Sequence, residues 1–368
     1  MLFSLIIPTY NERPNIMSLV RRVTECLAQI TNSFEVIIVD DDSPDKTWKI
    51  AEVLSRENSH VRVIRRRGEK GLATAVVAGW LAARREILGV MDGDLQHPPE
   101  VLAKLLNTSL QEQADVVVAS RHVNGGGTGD WNLVRRFISW GATSLMTFLL
   151  PDSSRLIRDP MSGCFILRRS VIEAVQLTPQ GYKILVEVLA RGQYRRILEV
   201  PYTFEVRKEG KSKLGLKQYR DFLIHLGSLA WETGHLRRFL RFCAVGLSGV
   251  IVNEVALWFF TAVGGFYYIY ASLLAVELAI VNNFVLNDRW TFRDRSCQQR
   301  GRENSIKRFY QFNLICGVGA ILNVGILWVL TSFMGLHYLL SNLVGTTASM
   351  FWNYGLNGCI TWKTLAVQ

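Results

Sequence analysis

The first half of the chain alternates short apolar runs with longer segments in which apolar residues recur every three or four positions. Such runs are typical of buried strands, and such segments are typical of amphipathic helices. We predict strands and helices in alternation, with these bounds: strand 3–8, helix 14–30, strand 34–39, helix 44–57, strand 61–65, helix 70–84 and strand 86–91. Repeated strand–helix units predict a mainly parallel, Rossmann-like α/β sheet with helices on both faces.

The pattern changes in the second half, where four long apolar stretches follow one another. Each is close to the ~20 residues that a helix needs to cross the hydrocarbon core of a bilayer. We predict four spans, at 239–262, 268–286, 310–333 and 338–360. The chain is thus predicted to have three parts: a soluble α/β domain at 1–215, an interfacial amphipathic helix or linker at 216–236, and an all-α membrane domain at 237–368.

The membrane half contains an internal repeat. A shift of 70 residues places FLRF at 239 on FYQF at 309 and Asn253 on Asn323. Each copy holds two predicted spans, an even number, so the two copies are predicted to have the same orientation in the bilayer.

Basic residues are concentrated before the first span and between the second and third spans, whereas the loops around Gly264 and Gly335 contain none. The positive-inside rule then predicts a multi-pass protein whose two termini and soluble domain are cytoplasmic. The formal net charge of +11 is consistent with anionic lipid headgroups and phosphorylated substrates. Nucleic acid is the competing explanation of this charge, but the chain has no recognisable nucleic-acid module, so we predict no nucleic-acid partner.

Acidic motifs follow three predicted strands: PTYNE at 8–12, DDD at 40–42 and DGDLQHPPE at 92–100. Ligands of parallel α/β sheets bind at the carboxyl ends of strands. Acidic residues at these ends can bind the base and ribose of a nucleotide, or they can hold a metal ion. An ordinary solvated turn is the alternative for each motif taken alone.

The third motif predicts a site for a hard cation. If the segment is extended, Asp92, Asp94 and Gln96 share one face, because side chains alternate along a strand. Two carboxylates and an amide oxygen favour Mg²⁺ or Mn²⁺ over zinc or copper. Mg²⁺ keeps coordination positions open for phosphate oxygens, so a nucleotide diphosphate is the expected partner.

Seven ordered motifs carry a family resemblance: PTYNE, VDDDSPD, RRRGEKGLATAVVAG, DGDLQHPPE, ASRHVNGG, DPMSGCF and RKEGKSKL. Together they span nearly all of residues 1–220 and resemble family 2 glycosyltransferases of the dolichol-phosphate mannose synthase type, which have the GT-A fold. The repeated half resembles a GtrA-like four-helix membrane domain. Gly93, Lys46 and Cys164 depart from the family pattern, but none of them removes an oxygen ligand of the predicted metal site.

The resemblance implies a role for each motif. Asp92, Asp94 and Gln96 are expected to hold the metal against the donor diphosphate, with Asp94 also among the catalytic residues. The nucleotide-sugar site is expected to comprise Pro8, Tyr10, Glu12, Asp40, Asp42, Asp92, Arg207 and Lys213. Arg207 and Lys213 belong to a glycine-containing loop that would close over the donor; a solvated basic loop beside the membrane is the alternative.

Arg121, Arg135 and Ser139 are expected, by family position, to be catalytic residues that hold the acceptor phosphate. Guanidinium groups match phosphate oxygens in shape and charge. A polyprenyl or dolichyl phosphate is already anionic at neutral pH, so it needs positioning and relief of repulsion rather than a strong base. Asp159 is therefore expected to be structural or to contact the sugar.

The implied reaction is the inverting transfer of mannose from GDP-mannose to polyprenyl phosphate at the cytoplasmic face. Glucose from UDP-glucose is the rival, because no residue that we can name separates the two donors. Segments 132–150 and 216–236 are predicted to lie in the bilayer interface, with a core helix as the alternative for 132–150. The spans either anchor the enzyme or transport the lipid-linked sugar; Glu254 and Glu277 are the acidic residues within them.

Overall fold

The structure is a computed structural model of the chain, and it describes residues 3–129, 131, 133–154, 156–205, 215–299 and 301–363. The chain divides into two compact units, Met1–Thr233 and Gly234–Gln368. The first unit is α/β and the second is helical, as the hydrophobic pattern predicts.

A sheet of seven strands forms the centre of the first unit. The strands are β1 Phe3–Thr9, β2 Phe34–Asp40, β3 Val61–Arg65, β4 Ile87–Val90, β5 Val116–Ser120, β6 Phe165–Arg168 and β7 Ile197–Pro201. Their order across the sheet is β3-β2-β1-β4-β6-β5-β7. β6 is antiparallel to both of its neighbours and the other pairs are parallel. The prediction of a mainly parallel sheet is confirmed.

The central strands are largely apolar because helices cover both of their faces, although β1 contains Ser4 and β2 contains Glu35. Every residue of β1 and β2 is buried, which is typical of parallel strands that point side chains into two cores. β1 pairs with β2 through Thr9 and Asp40 and with β4 through Ile6 and Val90. The carboxyl ends of these three strands therefore lie side by side, and the three acidic motifs follow them.

Nine helices accompany these strands in the described part of the first unit. They are α1 Arg13–Ala28, α2 Thr47–Glu57, α3 Leu72–Ala82, α4 Val101–Gln111, α5 Leu133–Leu149, α6 Pro151–Ser154, α7 Ser170–Glu173, α8 Ile184–Arg191 and α9 Leu216–Glu232. In α1, Ile16, Leu19, Val23 and Leu27 are buried at helical spacing and form one side of the core.

α5 and α9 differ in how they bury their apolar residues. α5 has one buried residue among its described side chains, Met146, and exposes Leu133, Phe137 and Trp140. This exposure does not agree with the core-helix alternative for 132–150. α9 belongs to the first unit and buries Phe222, although it also exposes large apolar residues.

The second unit consists of helices related by the internal repeat. They are α10 His235–Trp258, α11 Tyr268–Leu286, α12 Arg293–Gln298, α13 Arg302–Ser332 and α14 Tyr338–Leu356, with π-helical turns at Phe259–Val263, Asn287–Thr291 and Asn357–Thr361. α11 and α14 have the same length, and α14 begins and ends 70 residues after α11. The π-helical turns that follow them are also 70 residues apart, which is the shift of the sequence repeat.

Each of the four predicted apolar stretches forms a helix. Among the described residues, three helices are long and apolar enough to cross a membrane: His235–Val263, Tyr268–Thr291 and Glu303–Ser332. α14 is not among these three; it contains Ser341, Asn342, Thr346, Thr347 and Asn353. It packs along α13 as α11 packs along α10.

The two hairpins use the same glycine–asparagine contact. A Cβ atom added at Gly249 would lie 2.3 Å from Oδ1 of Asn283, and one added at Gly319 would lie 2.4 Å from Oδ1 of Asn353. Only glycine leaves room for the amide in either copy. Small residues of this kind let helices approach closely in a membrane, and a polar side chain can then bond across the contact.

Candidate active site

The loop after β1 carries the first group of predicted nucleotide-binding residues. Pro8 is buried next to Val39 of β2, and the ring of Tyr10 lies 5.4 Å from Nζ of Lys70. Glu12 is buried at the start of α1, where its carboxylate accepts a 2.8 Å hydrogen bond from Asn15. Tyr10, which is half-buried, is the more open of these three side chains.

The acidic residues after β2 hold the loops around them. Asp40 is fully buried and accepts hydrogen bonds from Thr9 Oγ1 at 2.8 Å, Ser43 N at 2.8 Å and Ser43 Oγ at 2.7 Å. Asp42 is half-buried and pairs with Arg65, whose guanidinium lies 3.5 Å from the centre of the Trp48 ring. The structure therefore gives Asp40 a supporting position beneath the loop and leaves Asp42 nearer to its surface.

The sequence reasoning missed the role of the aspartate between these two. Asp41 is buried and binds Arg66 Nε at 2.7 Å and Gly71 N at 2.7 Å. Arg66 in turn donates to the carbonyl of Gly71 at 3.0 Å. Burial raises the pKa of Asp41, and its bonds to Gly71 and Arg66 act in the opposite direction. This pair joins the β2 end to the glycine-containing segment before α3.

The segment that carries Asp92, Asp94 and Gln96 is a turn. β4 ends at Val90, and Leu95 has a positive φ of 61°. The extended geometry from which we predicted a shared face for these side chains is therefore wrong, because a strand cannot contain such a residue. The turn instead joins two of them directly, since Gln96 N donates to Asp94 Oδ1 at 3.1 Å.

The turn is packed against two other segments. Nε2 of Gln96 donates to the carbonyl of Glu205 at 3.1 Å, and Nε2 of His97 lies 3.4 Å from Oδ2 of Asp92. A Cβ atom at Gly163 would lie only 2.3 Å from Oδ2 of Asp92. Glycine at 163 thus makes a recess for the Asp92 carboxylate, and neither this contact nor the one to His97 was predicted from the sequence.

The donor set fits a divalent ion of the hard type. The described residues contain no grouping of three His, Cys, Asp or Glu side chains able to hold a metal. What the turn offers is a half-exposed carboxylate of Asp92 in its glycine-lined recess, the buried carboxylate of Asp94 and the amide oxygen of Gln96. Few protein oxygens are typical of Mg²⁺, which takes its other ligands from water and phosphate.

Two arginines and one tryptophan form a second group of residues at the site. The guanidinium carbons of Arg121 and Arg135 lie 5.0 Å and 4.4 Å from the centre of the Trp131 ring, and both groups also lie within 5.6 Å of the Phe204 ring. Ser139 is half-buried one helical turn after Arg135 in α5. The structure therefore brings Arg121 and Arg135 together, and helical spacing places Ser139 on the same face as Arg135.

Asp159 holds Arg121 in place. Its carboxylate, which is 1% exposed, accepts bonds from Arg121 Nε at 2.7 Å, Nη2 at 2.6 Å and N at 2.9 Å. Burial alone would raise the pKa of Asp159, but the hydrogen bonds and charge of Arg121 hold it below its usual range. Asp159 is thus an ionised partner of an arginine, in agreement with the structural role expected for it.

Lys183 is a further cation that the sequence reasoning missed. It lies just before α8, donates to the carbonyl of Met161 at 2.6 Å and is within electrostatic reach of Arg121, Asp92 and Arg135. Burial lowers the pKa of Lys183 to about 8, and the neighbouring arginines add to this effect. No motif in the sequence marks this lysine. Arg207 and Lys213 lie outside the described residues.

Comparison with known proteins agrees with this division of the chain. The model of the family "Glycosyl transferase family 2" matches residues 4–176, and the model "GtrA/DPMS, transmembrane domain" matches residues 241–362. A solved structure, glucosyl-3-phosphoglycerate synthase from Mycobacterium tuberculosis, is 19% identical, with a TM-score of 0.49, over 63% of this chain and 79% of that one.

Two curated relatives are much more similar in sequence. The dolichol-phosphate mannosyltransferase of Saccharomyces cerevisiae is 36% identical over 66% of this chain and 93% of its own length. The dolichol-phosphate mannosyltransferase of Pyrococcus furiosus is 43% identical over 98% of this chain and 99% of its own length. With this identity along both the catalytic and the membrane unit, the chain belongs to the dolichol-phosphate mannosyltransferase family of family 2 glycosyltransferases.

Proposed function

We propose that this glycosyltransferase moves mannose from GDP-mannose to a polyprenyl phosphate at the cytoplasmic face of a membrane. The observation that carries the proposal is the pair of guanidinium groups on Trp131, beside Lys183 and within electrostatic reach of Asp92. An acidic turn suited to a metal and a nucleotide diphosphate thus faces a cationic set suited to a phosphate acceptor. The names of the relatives support mannose and dolichol phosphate as the sugar and the acceptor.

The acceptor side has the chemistry that a phosphate nucleophile requires. Arg121 is oriented by Asp159, and Arg135 lies over the same ring, so two planar cations lie close to one aromatic group. Their charges offset the repulsion between the acceptor phosphate and the donor diphosphate. Their positions also set the direction from which the phosphate approaches the sugar.

The reaction is then a single displacement. An oxygen of the acceptor phosphate forms a bond to the anomeric carbon while the bond from that carbon to the donor diphosphate breaks, and the electron pair leaves with GDP. One displacement inverts the configuration of the sugar. The phosphate carries no proton that must be removed first, which is consistent with Asp159 being committed to Arg121.

The donor side is proposed to bind the nucleotide diphosphate with a divalent ion. Asp92, Asp94 and Gln96 would hold Mg²⁺ or Mn²⁺, and a bound ion supplies positive charge against the departing diphosphate. Pro8, Tyr10, Glu12, Asp40 and Asp42 would shape the nucleotide pocket, with Asp40 acting through the loop that it supports. Arg207 and Lys213 are proposed to close over the donor.

A panel of radiolabelled GDP- and UDP-sugars with polyprenyl phosphate tests the donor and the acceptor. GDP-mannose should give a lipid-linked product whose anomeric configuration, read by NMR, is opposite to that of the donor. Faster incorporation of glucose from UDP-glucose would contradict the proposed donor and would support the rival one. Retained configuration would contradict the single displacement.

Replacement of one metal ligand tests the donor side. Asp94→Asn should abolish transfer and leave the protein folded, whereas Glu173→Gln changes an exposed carboxylate on α7 and should be silent. Full activity of Asp94→Asn in excess chelator would exclude the proposed metal site.

The membrane unit is proposed to cross the bilayer four times and to anchor the enzyme, with both termini in the cytoplasm. α5 and α9 are proposed to lie in the interface, where the exposed apolar residues of α5 would meet lipid. Glu254 is exposed and accepts a 3.4 Å hydrogen bond from Asn253. Single cysteines placed at Gly264 and Gly335 should react with an impermeant thiol reagent only from outside the cell.

The anchoring role can be separated from transport. A fragment that ends near residue 235 should still glycosylate a short-chain polyprenyl phosphate if the spans only hold the enzyme at its substrate. If the full chain in vesicles moves pre-made lipid-linked mannose across the bilayer and Glu254→Ala does not, the transport alternative is supported instead.

A further inference from the structure

A cavity of about 620 Å³ lies at one end of the second unit, and its lining contains no residue of the candidate active site. It is formed by the start of α10, the π-helical turn Asn287–Thr291 and α12. Its lining includes Trp290 and five arginines: Arg237, Arg238, Arg241, Arg289 and Arg293. We name it the arginine cavity. Its volume is within the range of small-molecule sites in proteins.

The arginine cavity has a strong excess of positive charge. Five arginines and one aspartate line it, and that aspartate, Asp294, already pairs with Arg238 at 2.8 Å. Like charges gathered around one space repel one another, and an anion that enters the space reduces this repulsion. Guanidinium groups match the oxygens of a phosphate better than they match a simple halide, because their donors are planar and paired.

The surroundings of the cavity favour the headgroup of a lipid over a soluble anion. Trp290 is 47% exposed, and the guanidinium of Arg241 lies 5.8 Å from its ring centre. An indole in such a position is typical of the boundary between bilayer and water. Helical spacing places Arg237, Ile251 and Val255 on one face of α10, and the two apolar residues are each 59% exposed. A phosphate in the cavity would therefore have an apolar surface beneath it for its chains.

The second copy of the repeat keeps a basic residue at three of the five matching positions, Lys307, Arg308 and Lys363, and lacks one at the other two. Seventy residues after Arg241 and Arg289, the chain has Gln311 and Cys359. The π-helical turn of that copy, Asn357–Thr361, instead receives the buried Arg295, which donates to the carbonyl of Gly358 at 2.9 Å. The helices and the turn are duplicated, but the arginine cavity is formed by the first copy.

We propose that the arginine cavity binds the phosphate headgroup of an anionic membrane lipid. The shared chemistry is a phosphate mono- or diester carried on apolar chains, and its source is either a bilayer phospholipid or the polyprenyl phosphate itself. Neither Arg121 nor Arg135 is among its lining residues, and its occupancy does not depend on the transfer reaction.

Native mass spectrometry of the full chain in detergent tests the proposal, with no sugar donor present. The protein is titrated with phosphatidylglycerol, with polyprenyl phosphate and with inorganic phosphate. The test variant is Arg241→Gln/Arg289→Gln, which removes two charges from the cavity. The control is Lys307→Gln/Lys363→Gln, which removes two charges from exposed positions of the second copy that match Arg237 and Arg293.

The arginine pair should weaken lipid binding by roughly tenfold or more, since it removes two of the five guanidinium groups that would meet the phosphate. The lysine pair should change it much less. The result is the difference in lipid binding between the arginine variant and the lysine variant. Neither variant changes the acceptor site, so polyprenyl phosphate bound there contributes equally to both measurements and cancels. The lipid whose binding falls identifies the source.

Three results would overturn the proposal. If both double variants weaken lipid binding equally, the lipid is attracted by the overall positive charge of the protein and not by the arginine cavity. Inorganic phosphate that binds as tightly as the lipids would show a site for a soluble anion, and this comparison needs only the unmodified protein. Absence of saturable lipid binding would exclude the site. None of these results bears on the proposed transfer of mannose.

Discussion

The buried pair of Arg121 and Asp159 allows a quantitative prediction. Asp159→Asn keeps the size of the side chain and removes its charge, so the guanidinium of Arg121 stays buried without a counter-ion. The side chains are 6% and 1% exposed, so water cannot replace the carboxylate. Removal of one partner of a buried pair typically costs about 3–5 kcal/mol, and the amide oxygen still accepts one bond, so we expect about 3 kcal/mol.

The assay is thermal unfolding of the full chain in detergent at one fixed scan rate, followed by tryptophan fluorescence. For a unit of this size, 1 kcal/mol corresponds to roughly 2–4 °C, so the midpoint should fall by roughly 6–12 °C at neutral pH. Arg121→Met/Asp159→Leu removes both charges together and should recover most of the loss, because an apolar pair of similar volume replaces the ion pair. A midpoint of Asp159→Asn within about 2 °C of the unmodified protein would refute the reasoning.

The Arg121–Asp159 pair also determines how the difference in stability between the unmodified protein and Asp159→Asn depends on pH. Arg121 lowers the pKa of Asp159 in the folded protein, so the contribution to stability is fully present above the unfolded-state pKa of about 4. It is lost as the pH falls through the lower folded-state pKa, where the unmodified carboxyl becomes neutral. The gap between the unmodified protein and Asp159→Asn should therefore close in strong acid and stay constant above about pH 5.

Three further predictions concern single residues. Gly163→Ala places a Cβ atom 2.3 Å from Oδ2 of Asp92, so the Mn²⁺ concentration that gives half-maximal transfer should rise by roughly tenfold or more. An unchanged Mn²⁺ requirement would show that Gly163 does not shape the position of the Asp92 carboxylate. The rate of transfer should fall as the pH rises through about 8, because Lys183 then loses its proton. Lys183→Arg should move this fall in rate to higher pH. If the fall stays at the same pH in the variant, Lys183 is not its cause. Gly319→Ala should destabilise the membrane unit by about 1–3 kcal/mol, whereas Gly317→Ala, with open space around its added Cβ, should not.

The order of strands and helices could be predicted because the central strands bury both faces. β1 and β2 are largely apolar runs, interrupted by Ser4 and Glu35, and the predicted bounds of 3–8 and 34–39 differ from the observed ones by one residue. The antiparallel β6 could not be predicted in this way, since its four residues FILR give no sign of direction. Direction is decided by how the chain returns to the sheet between β4 and β5.

The residues of the site could be predicted where they form motifs, but their geometry could not. An alternation of acidic residues indicates a shared face only if the backbone is extended, and Leu95 at φ 61° makes it a turn. Gly163 and Lys183 reach the site from segments about 70 to 90 residues later in the chain. Their contributions come from tertiary packing, as a recess for Asp92 and as a half-buried cation, and neither leaves a local pattern.

The repeat in the second unit separates what the fold requires from what a ligand requires. Gly249 and Asn283 reappear as Gly319 and Asn353 in the same contact, and the turns after α11 and α14 correspond residue by residue. A feature that packing demands is therefore present in both copies. Arg241 and Arg289 of the cavity are not, since glutamine and cysteine stand at the matching positions, whereas Lys307, Arg308 and Lys363 keep the charge of Arg237, Arg238 and Arg293. Orientation in the membrane needs basic residues on one side of the bilayer, but it does not need them to converge on one space. Arg241 and Arg289 add charge to the cavity of the first copy without a basic counterpart in the second copy, which is what a binding site would require.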